Sequence, residues 1–249
     1  MIIKAVLFDF GNTLVSTRLN WAKILPQGLA GLTEALREQV AELDFNRLGR
    51  DFLFFKKTAR QLTARTQIEI PALDTLQKAF ELQGLHSLPE EILQIGLDGF
   101  FATEESAYPI IFGIPETLAK LKEMGIKLAL VSNATCGQLI RRALAKRNLQ
   151  GYFNHVAVSA DLGPAKPDPA IFWGAMNAME VEANSCVVVG DNLDTDIAGA
   201  RRAGIRPVLS DFFGDAPKIL ADDPQPDVIV RRPDDLIRLF KTWQNEPAD

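Results

Sequence analysis

The sequence predicts an α/β fold: a doubly wound parallel sheet with a helical bundle inserted after its first strand. Three observations predict it. Short apolar runs alternate with amphipathic helical stretches through the second half of the chain, as parallel strands joined by helical crossovers require. The block from Ser16 to Ala102 has helical periodicity and no convincing strand. The apolar run Ile2, Ile3, Ala5, Val6, Leu7, Phe8 precedes that block, so the insertion separates the first strand from the others.

Taken in order, the first strand stops at Asp9, and Gly11 with Asn12 marks a tight turn. Leu25, Leu29, Leu32, Leu36 and Val40 lie on one helical face, with Pro26 suited to the first turn. Leu48, Phe52, Phe55, Ala59 and Leu62 repeat the pattern, and two further helices are expected over Ala72 to Gln83 and Glu90 to Phe101, each after a proline. Ile114-Pro115-Glu116 opens a helix that Gly125 closes. Strands then follow at Lys127–Val131, Val156–Val158, Cys186–Val189, Arg206–Leu209 and Val228–Val230. Helices lie between or after them at Gln138–Arg147, Ile171–Met179, Asp194–Ala203 and Pro233–Trp243. Asp194 reads as the N-cap of its helix, and Gln244 to Asp249 reads as a loose tail.

Composition narrows the function. The 249 residues carry a net charge of -5, which argues against nucleic acid or an anionic membrane as the main partner. Cys136 and Cys186 are far apart and read as reduced core residues of a cytoplasmic protein. His86 and His155 are isolated and read as structural, so no histidine-based triad is expected. No secretory signal is visible, and no run approaches the roughly 18 apolar residues of a membrane span.

Right-handed crossovers bring all strand ends to one side of the sheet, where ligands bind. Taken alone, Asp9 reads equally as a cap of the following helix. Four features converge with it there: Asp9 itself, Ser132 with Asn133, Lys166, and Asp191 with Asp196. Three carboxylates near one point repel and are costly to charge without a cation, and oxygen ligands of this kind suit Mg2+. Ser132 offers a hydroxyl and adjacent amides to an anion, and Lys166 adds a positive charge. No Walker loop or Gly-x-Gly-x-x-Gly is present, which disfavours an ordinary nucleotide-binding fold.

The segments Asp9-Phe10-Gly11-Asn12-Thr13-Leu14, Val131-Ser132-Asn133, Lys166-Pro167-Asp168-Pro169 and Gly190-Asp191-Asn192-Leu193-Asp194-Thr195-Asp196 resemble the four ordered motifs of the haloacid dehalogenase-like hydrolases. The resemblance implies a Rossmann-like core over residues 1–15 and 103–249 and a helical cap of the first type over 16–102. It implies Asp9 as a nucleophile that forms an aspartyl-phosphate, with Lys166 stabilising it. Ser132 would bind the phosphoryl group, with Asn133, Asn12 and Thr13 in the same substrate-binding set; Thr13 would also position the turn. Mg2+ would be held by Asp9, the backbone carbonyl of Gly11, Asp191 and Asp196, the last ligating or orienting Lys166. The expected partner is a small phosphorylated molecule, with no nucleic acid and no membrane, for a cytoplasmic chain that is monomeric or homodimeric.

One position departs from the family pattern. Its phosphatases usually carry a second Asp two residues after the nucleophile, as general acid and base, and this chain has Gly11. Three explanations stand: a cap residue or water donates the proton, the leaving group needs none, or the protein is a weakly active or non-catalytic binder of a phosphorylated ligand or partner. A 2-haloacid dehalogenase also lacks that Asp, but the retained Asp191 and Asp196 make sense mainly with a cation. Within the insert, Arg18, Trp21, Lys23, Arg50, Phe54, Lys56, Lys57 and Arg60 are candidates to face the site, each also readable as an ordinary surface or core position.

Overall fold

The structure, a computed structural model, describes residues 2–40 and 43–245. Six strands form one sheet, all neighbours parallel: β1 (Ala5–Phe8), β2 (Lys127–Ser132), β3 (His155–Val158), β4 (Cys186–Gly190), β5 (Arg206–Ser210) and β6 (Val228–Val230). Their order is β3-β2-β1-β4-β5-β6. The first strand is thus central, and the winding reverses beside it.

Alternation along the strands divides the core in two, because successive side chains point to opposite faces. Val6, Phe8, Leu128, Leu130, Val187 and Val189 pack on one face with α5 (Ile114–Glu123), α6 (Gly137–Lys146) and α10 (Asp235–Asn245). Ala5, Leu7, Ala129, Val131 and Val188 pack on the other with α8 (Ala170–Met179) and α9 (Ala198–Ala203). Both faces are covered, which is why the strands read as continuous apolar runs. A short helix, α7 (Ser159–Leu162), follows β3 directly and was not expected.

Between β1 and α5 lie four helices: α1 (Trp21–Leu36), α2 (Phe45–Thr66), α3 (Ala72–Glu81) and α4 (Glu90–Ala107). Helix α4 runs past Phe101, the expected end. Helix α1 starts earlier than expected: the Asn20 carbonyl accepts from the amides of Lys23 and Ile24, so Pro26 sits inside the helix. Its buried stripe is Ile24, Gly28, Leu32 and Leu36, whereas Leu25 is exposed.

Glycine explains that shift. A Cβ on Gly31 would stand 2.3 Å from the Gly99 carbonyl oxygen, and one on Gly99 would stand 2.3 Å from that of Gly31. Helices α1 and α4 therefore cross backbone to backbone, flanked by an edge-to-face pair of Phe52 and Phe100.

The two connections to these helices pair with each other. Val15 bridges Ile110 in antiparallel fashion, Ser16 N–H donates to the Pro109 carbonyl and Ile111 N–H to that of Leu14. At the far end of the chain, Gln244 belongs to α10, and residues 246–249 of the expected tail lie outside the described residues.

Candidate active site

The end of β1 sets the geometry. Phe8 pairs with Leu130 and Val189 on its two sides, so the next residue, Asp9, leaves the sheet between the ends of β2 and β4. Its amide donates to the Val189 carbonyl at 2.9 Å, which fixes the backbone and aims the side chain past the strand ends. Lys166 reaches the same point from the loop after α7, and its peptide bond to Pro167 is cis.

The Lys166 ammonium uses all three donors. It reaches Asp9 Oδ1 at 2.6 Å, Asp196 Oδ1 at 2.6 Å and the Val131 carbonyl at 2.9 Å. Burial disfavours its charge, but Asp196 and Asp9 outweigh that and raise its pKa. Asp9 moves the other way from an ordinary carboxylate. Burial first, with Asp196 and Asp191 adding and Lys166 opposing, pushes it up to about 7. Burial and Asp196 also raise Asp191. One ammonium thus faces three carboxylates whose oxygens lie within 4.8 Å of one another. A divalent cation fits that donor set, because its charge would offset both the burial and the mutual repulsion that lift Asp9 and Asp191.

Local structure explains each acid's position. Asp196 is buried; its Oδ2 accepts from Asn192 N–H at 3.1 Å. Any side chain at Gly190 would collide with it, since a Cβ there would stand 2.3 Å from Asp196 Cγ. The chain after β4 opens as a π-helical turn over Leu193–Ile197, with Ile197 N–H donating to the Asn192 carbonyl. The expected cap at Asp194 is corrected: Asn192 caps the turn, its Oδ1 accepting from Asp194 N–H at 2.9 Å and Thr195 N–H at 3.1 Å. Asp194 itself is exposed.

The remaining motif residues divide by what they touch. Ser132 is buried, and its hydroxyl has no hydrogen-bond partner among the described residues. Asn133 clamps the lysine loop: its Nδ2 donates to the Lys166 carbonyl at 2.9 Å and its Oδ1 accepts from Lys166 N–H at 2.8 Å. Asn12 Nδ2 donates to Asp191 Oδ2 at 3.1 Å, while its Oδ1 accepts from the Thr17 amide and hydroxyl. Thr13 is buried with its hydroxyl against Ser210 Oγ at 3.1 Å. Asn133, Asn12 and Thr13 thus spend their polar groups on the protein and position its loops. Gly11, half-buried, joins Val15 in a bridge across the turn.

Of the insert's candidates, two approach the site. Arg18 stacks on Phe213, pairs with Asp215 at 2.5 Å, and with Asn12 and Asp191 lines a cavity of about 180 Å³. Lys56 contacts Thr135, on the loop after Ser132. Trp21, Lys23, Arg50, Phe54, Lys57 and Arg60 are exposed. A larger groove of about 1020 Å³ runs under Ile110, Phe112 and Pro233 and contains none of the motif side chains.

Sequence reasoning missed how the α2–α3 connection docks. Ile68 bridges Pro164 in antiparallel fashion, Glu69 N–H donates to the Gly163 carbonyl, and Ala72 N–H donates to that of Thr135. Buried Glu69 accepts from Ser159 Oγ at 2.7 Å. No local pattern signals these contacts, which join loops far apart in sequence.

Comparison with known proteins agrees with the geometry. The sequence model of the haloacid dehalogenase-like hydrolases matches residues 3–204. The chain is 27% identical over 207 residues to a ribulose-1,5-bisphosphate 5-phosphatase of Halopiger xanaduensis, covering 83% of this chain and 84% of that protein. It is 36% identical over 130 residues to a glyceraldehyde 3-phosphate phosphatase of Methanopyrus kandleri, a match spanning 50% of this chain and 54% of that one. The crystal structure of a 2-haloacid dehalogenase from Pseudomonas syringae superposes with a TM-score of 0.63 at 25% identity, covering 97% of this chain and all of that one.

Proposed function

The chain belongs to the haloacid dehalogenase-like hydrolases, and from that premise we propose that it is a Mg2+-dependent phosphatase of small phosphorylated metabolites. The observation that carries the reading is the buried Lys166 ammonium bridging Asp9 and Asp196 beside the further carboxylate of Asp191. The phosphatases among its relatives support the same chemistry.

Lys166 holds Asp9 Oδ1, and Oδ2 has no hydrogen-bond partner among the described residues. That oxygen attacks phosphorus, the bond to the leaving oxygen breaks, and an aspartyl-phosphate forms on Asp9. Water then attacks the phosphorus, releasing phosphate and restoring the carboxylate. Ser132 donates its unengaged hydroxyl to a phosphoryl oxygen, and Lys166 offsets charge on the nucleophile side. Asp9, Asp191, the Gly11 carbonyl and Asp196 would hold Mg2+, which when bound neutralises the carboxylates and draws charge from the phosphoryl oxygens. Asp196, with both oxygens engaged, also orients Lys166 and the turn after β4.

Residues 16–102 act as a cap over this site, moving about the paired linkers at Val15 and Ile110 and excluding water when closed. The setting is cytoplasmic, and no helix among the described residues is long and apolar enough to cross a membrane. The test is a panel of phosphorylated metabolites with and without Mg2+, run on the wild type and on Asp9→Asn. Turnover that survives Asp9→Asn or excess chelator overturns the reading.

A second reading is favoured by Gly11 and by the dehalogenase of similar fold. Asp9 would then displace halide from a 2-haloacid, a leaving group that needs no proton. Metal-independent halide release in the same panel, without phosphate release, would select it.

A further inference from the structure

Lys56 reaches inward from α2 without a carboxylate in contact. Its Nζ donates to Thr135 Oγ1 at 3.1 Å, and no carboxylate among the described residues lies within 4.0 Å of it. The other inward-reaching cations are better compensated. Lys166 has two carboxylates, Arg142 has Asp98 and Glu105, and Arg147 has three backbone carbonyls. Around Lys56 stand the rings of Phe101, Phe100 and Phe52, with centroids 4.9, 5.6 and 5.7 Å from its nitrogen.

The neighbouring acids make their hydrogen bonds elsewhere. Glu104 accepts from the Tyr108 hydroxyl and Glu69 from Ser159. Burial lowers the Lys56 pKa, which Glu104, Cys136 and Glu69 only partly restore. A half-buried cation facing aromatic rings and one hydroxyl is costly to keep, and cation–π attraction offsets only part of that. A mere tether to Thr135 would work as well with a neutral donor.

The location says what completes it. Thr135 stands on the loop that carries Ser132 and Asn133. The α2–α3 connection rests on that same loop, at Thr135, and on the Gly163–Ala165 loop before Lys166. Lys56 therefore stands where the insert meets the loop that carries Ser132. We propose that Lys56 binds a second anionic group of the substrate, so that the preferred substrates are phosphate esters that also carry a carboxylate or another phosphate. This rests on the phosphatase reading of the Asp9 site. The incoming anion supplies the direct ion pair that the protein leaves out, and Thr135 aims the ammonium.

The experiment compares matched pairs that differ only in the second anion: phosphoglycolate against hydroxyethyl phosphate, and phosphoglycerate against glycerol phosphate. An aryl phosphate serves as the common reference. Wild type should favour the anion-bearing member of at least one pair by about 10- to 100-fold in kcat/KM, the span of a hydrogen bond to a charged group. Lys56→Met should erase that preference, chiefly through KM, and leave the aryl phosphate within about twofold. Equal losses on both members, or no preference in the wild type, overturn the proposal.

Binding reads the residue without turnover. Phosphonoacetate, phosphonopropionate and phosphonobutyrate are compared with alkylphosphonates of the same length by thermal shift. The extra stabilisation by one of the acids should vanish in Lys56→Met, and its absence from the wild type overturns the proposal. Failure of the phosphatase reading is separately visible as no turnover of any ester, the aryl phosphate included.

Discussion

Gly11→Asp restores a carboxyl group at the position where this chain lacks one, and the structure says how to make the test clean. Gly11 is not among the glycines with positive φ, so an aspartate there adds no backbone strain. Its Cβ would meet one neighbour closely, the Thr17 methyl Cγ2 at 2.9 Å. Thr17→Ser removes that methyl and keeps the hydroxyl that donates to Asn12 Oδ1 at 3.0 Å. The double variant G11D/T17S is therefore the proper one. Without a proton donor, negative charge builds on the leaving oxygen in the transition state. Wild type should then turn over alkyl phosphates at least about 100-fold more slowly than aryl phosphates. A working general acid is worth about 100- to 10,000-fold, roughly 3–5.5 kcal/mol, and the double variant should recover part of that for alkyl esters alone. The assay is kcat/KM across monoesters graded by leaving-group pKa, at saturating Mg2+, with chemistry rate-limiting. A flat dependence in the wild type would mean that another group donates the proton, and the reasoning about Gly11 would be wrong.

Asp9→Asn should abolish turnover yet raise the melting temperature in chelator at pH 7 to 8. The folded state holds the Asp9 proton to about pH 7 and the unfolded chain only to 3.8, so this carboxylate destabilises the fold progressively between those values, by up to about 4 kcal/mol. An unchanged or lower melting temperature would contradict that cost of burying the Asp9 charge. Gly99→Ala should cost about 1–3 kcal/mol by forcing α1 and α4 apart, although alanine ordinarily gains about 1 kcal/mol over glycine in a helix; denaturant titration reads the sign. His155 is held below its ordinary 6.5 by burial and Arg141. As pH falls through 6.5 the unfolded chain takes its proton first, so stability should drop on acidification. His155→Gln should flatten that part of the melting-temperature profile, and an identical profile would remove His155 as its cause.

The sheet was legible because strands buried on both faces are unbroken apolar runs, and the three central ones end at a residue that no apolar strand would keep: Asp9, Ser132, Asp191. Lys166 joined the same group as a loop residue, and the resemblance of Lys166-Pro167-Asp168-Pro169 to a family motif implied its role. Close approach of backbones was not legible. Periodicity weighs apolar side chains, and Gly28, Gly31 and Gly99 pack by having none, which moved the apparent face of α1 and hid its start. The protein partners of Asn12, Asn133 and Thr13 were similarly out of reach, because a polar residue in a motif reads alike whether it touches a substrate or a neighbouring loop. Asn192 was overlooked as a cap because the turn it begins is π-helical, which shifts the cap two residues ahead of Asp194. The docking of Ile68 and Glu69 onto the Gly163–Ala165 loop depends on tertiary approach alone.

The central place of β1 has a consequence for synthesis. Ala5 pairs with Lys127 on one side and with Cys186 on the other, so this fully buried strand leaves the ribosome before either partner exists. At about 5–20 residues per second, it waits on the order of ten seconds for the first. The insert's helices can form meanwhile from nearer contacts, and the pairing of Val15 with Ile110 then brings β2 to its neighbour across a short remaining span, which lowers the entropy of closure. A chain stalled between β2 and β4 keeps β1 as a bare edge, with a row of open amides and carbonyls able to recruit strands from other molecules. That interval is where chaperone binding to the nascent chain should concentrate.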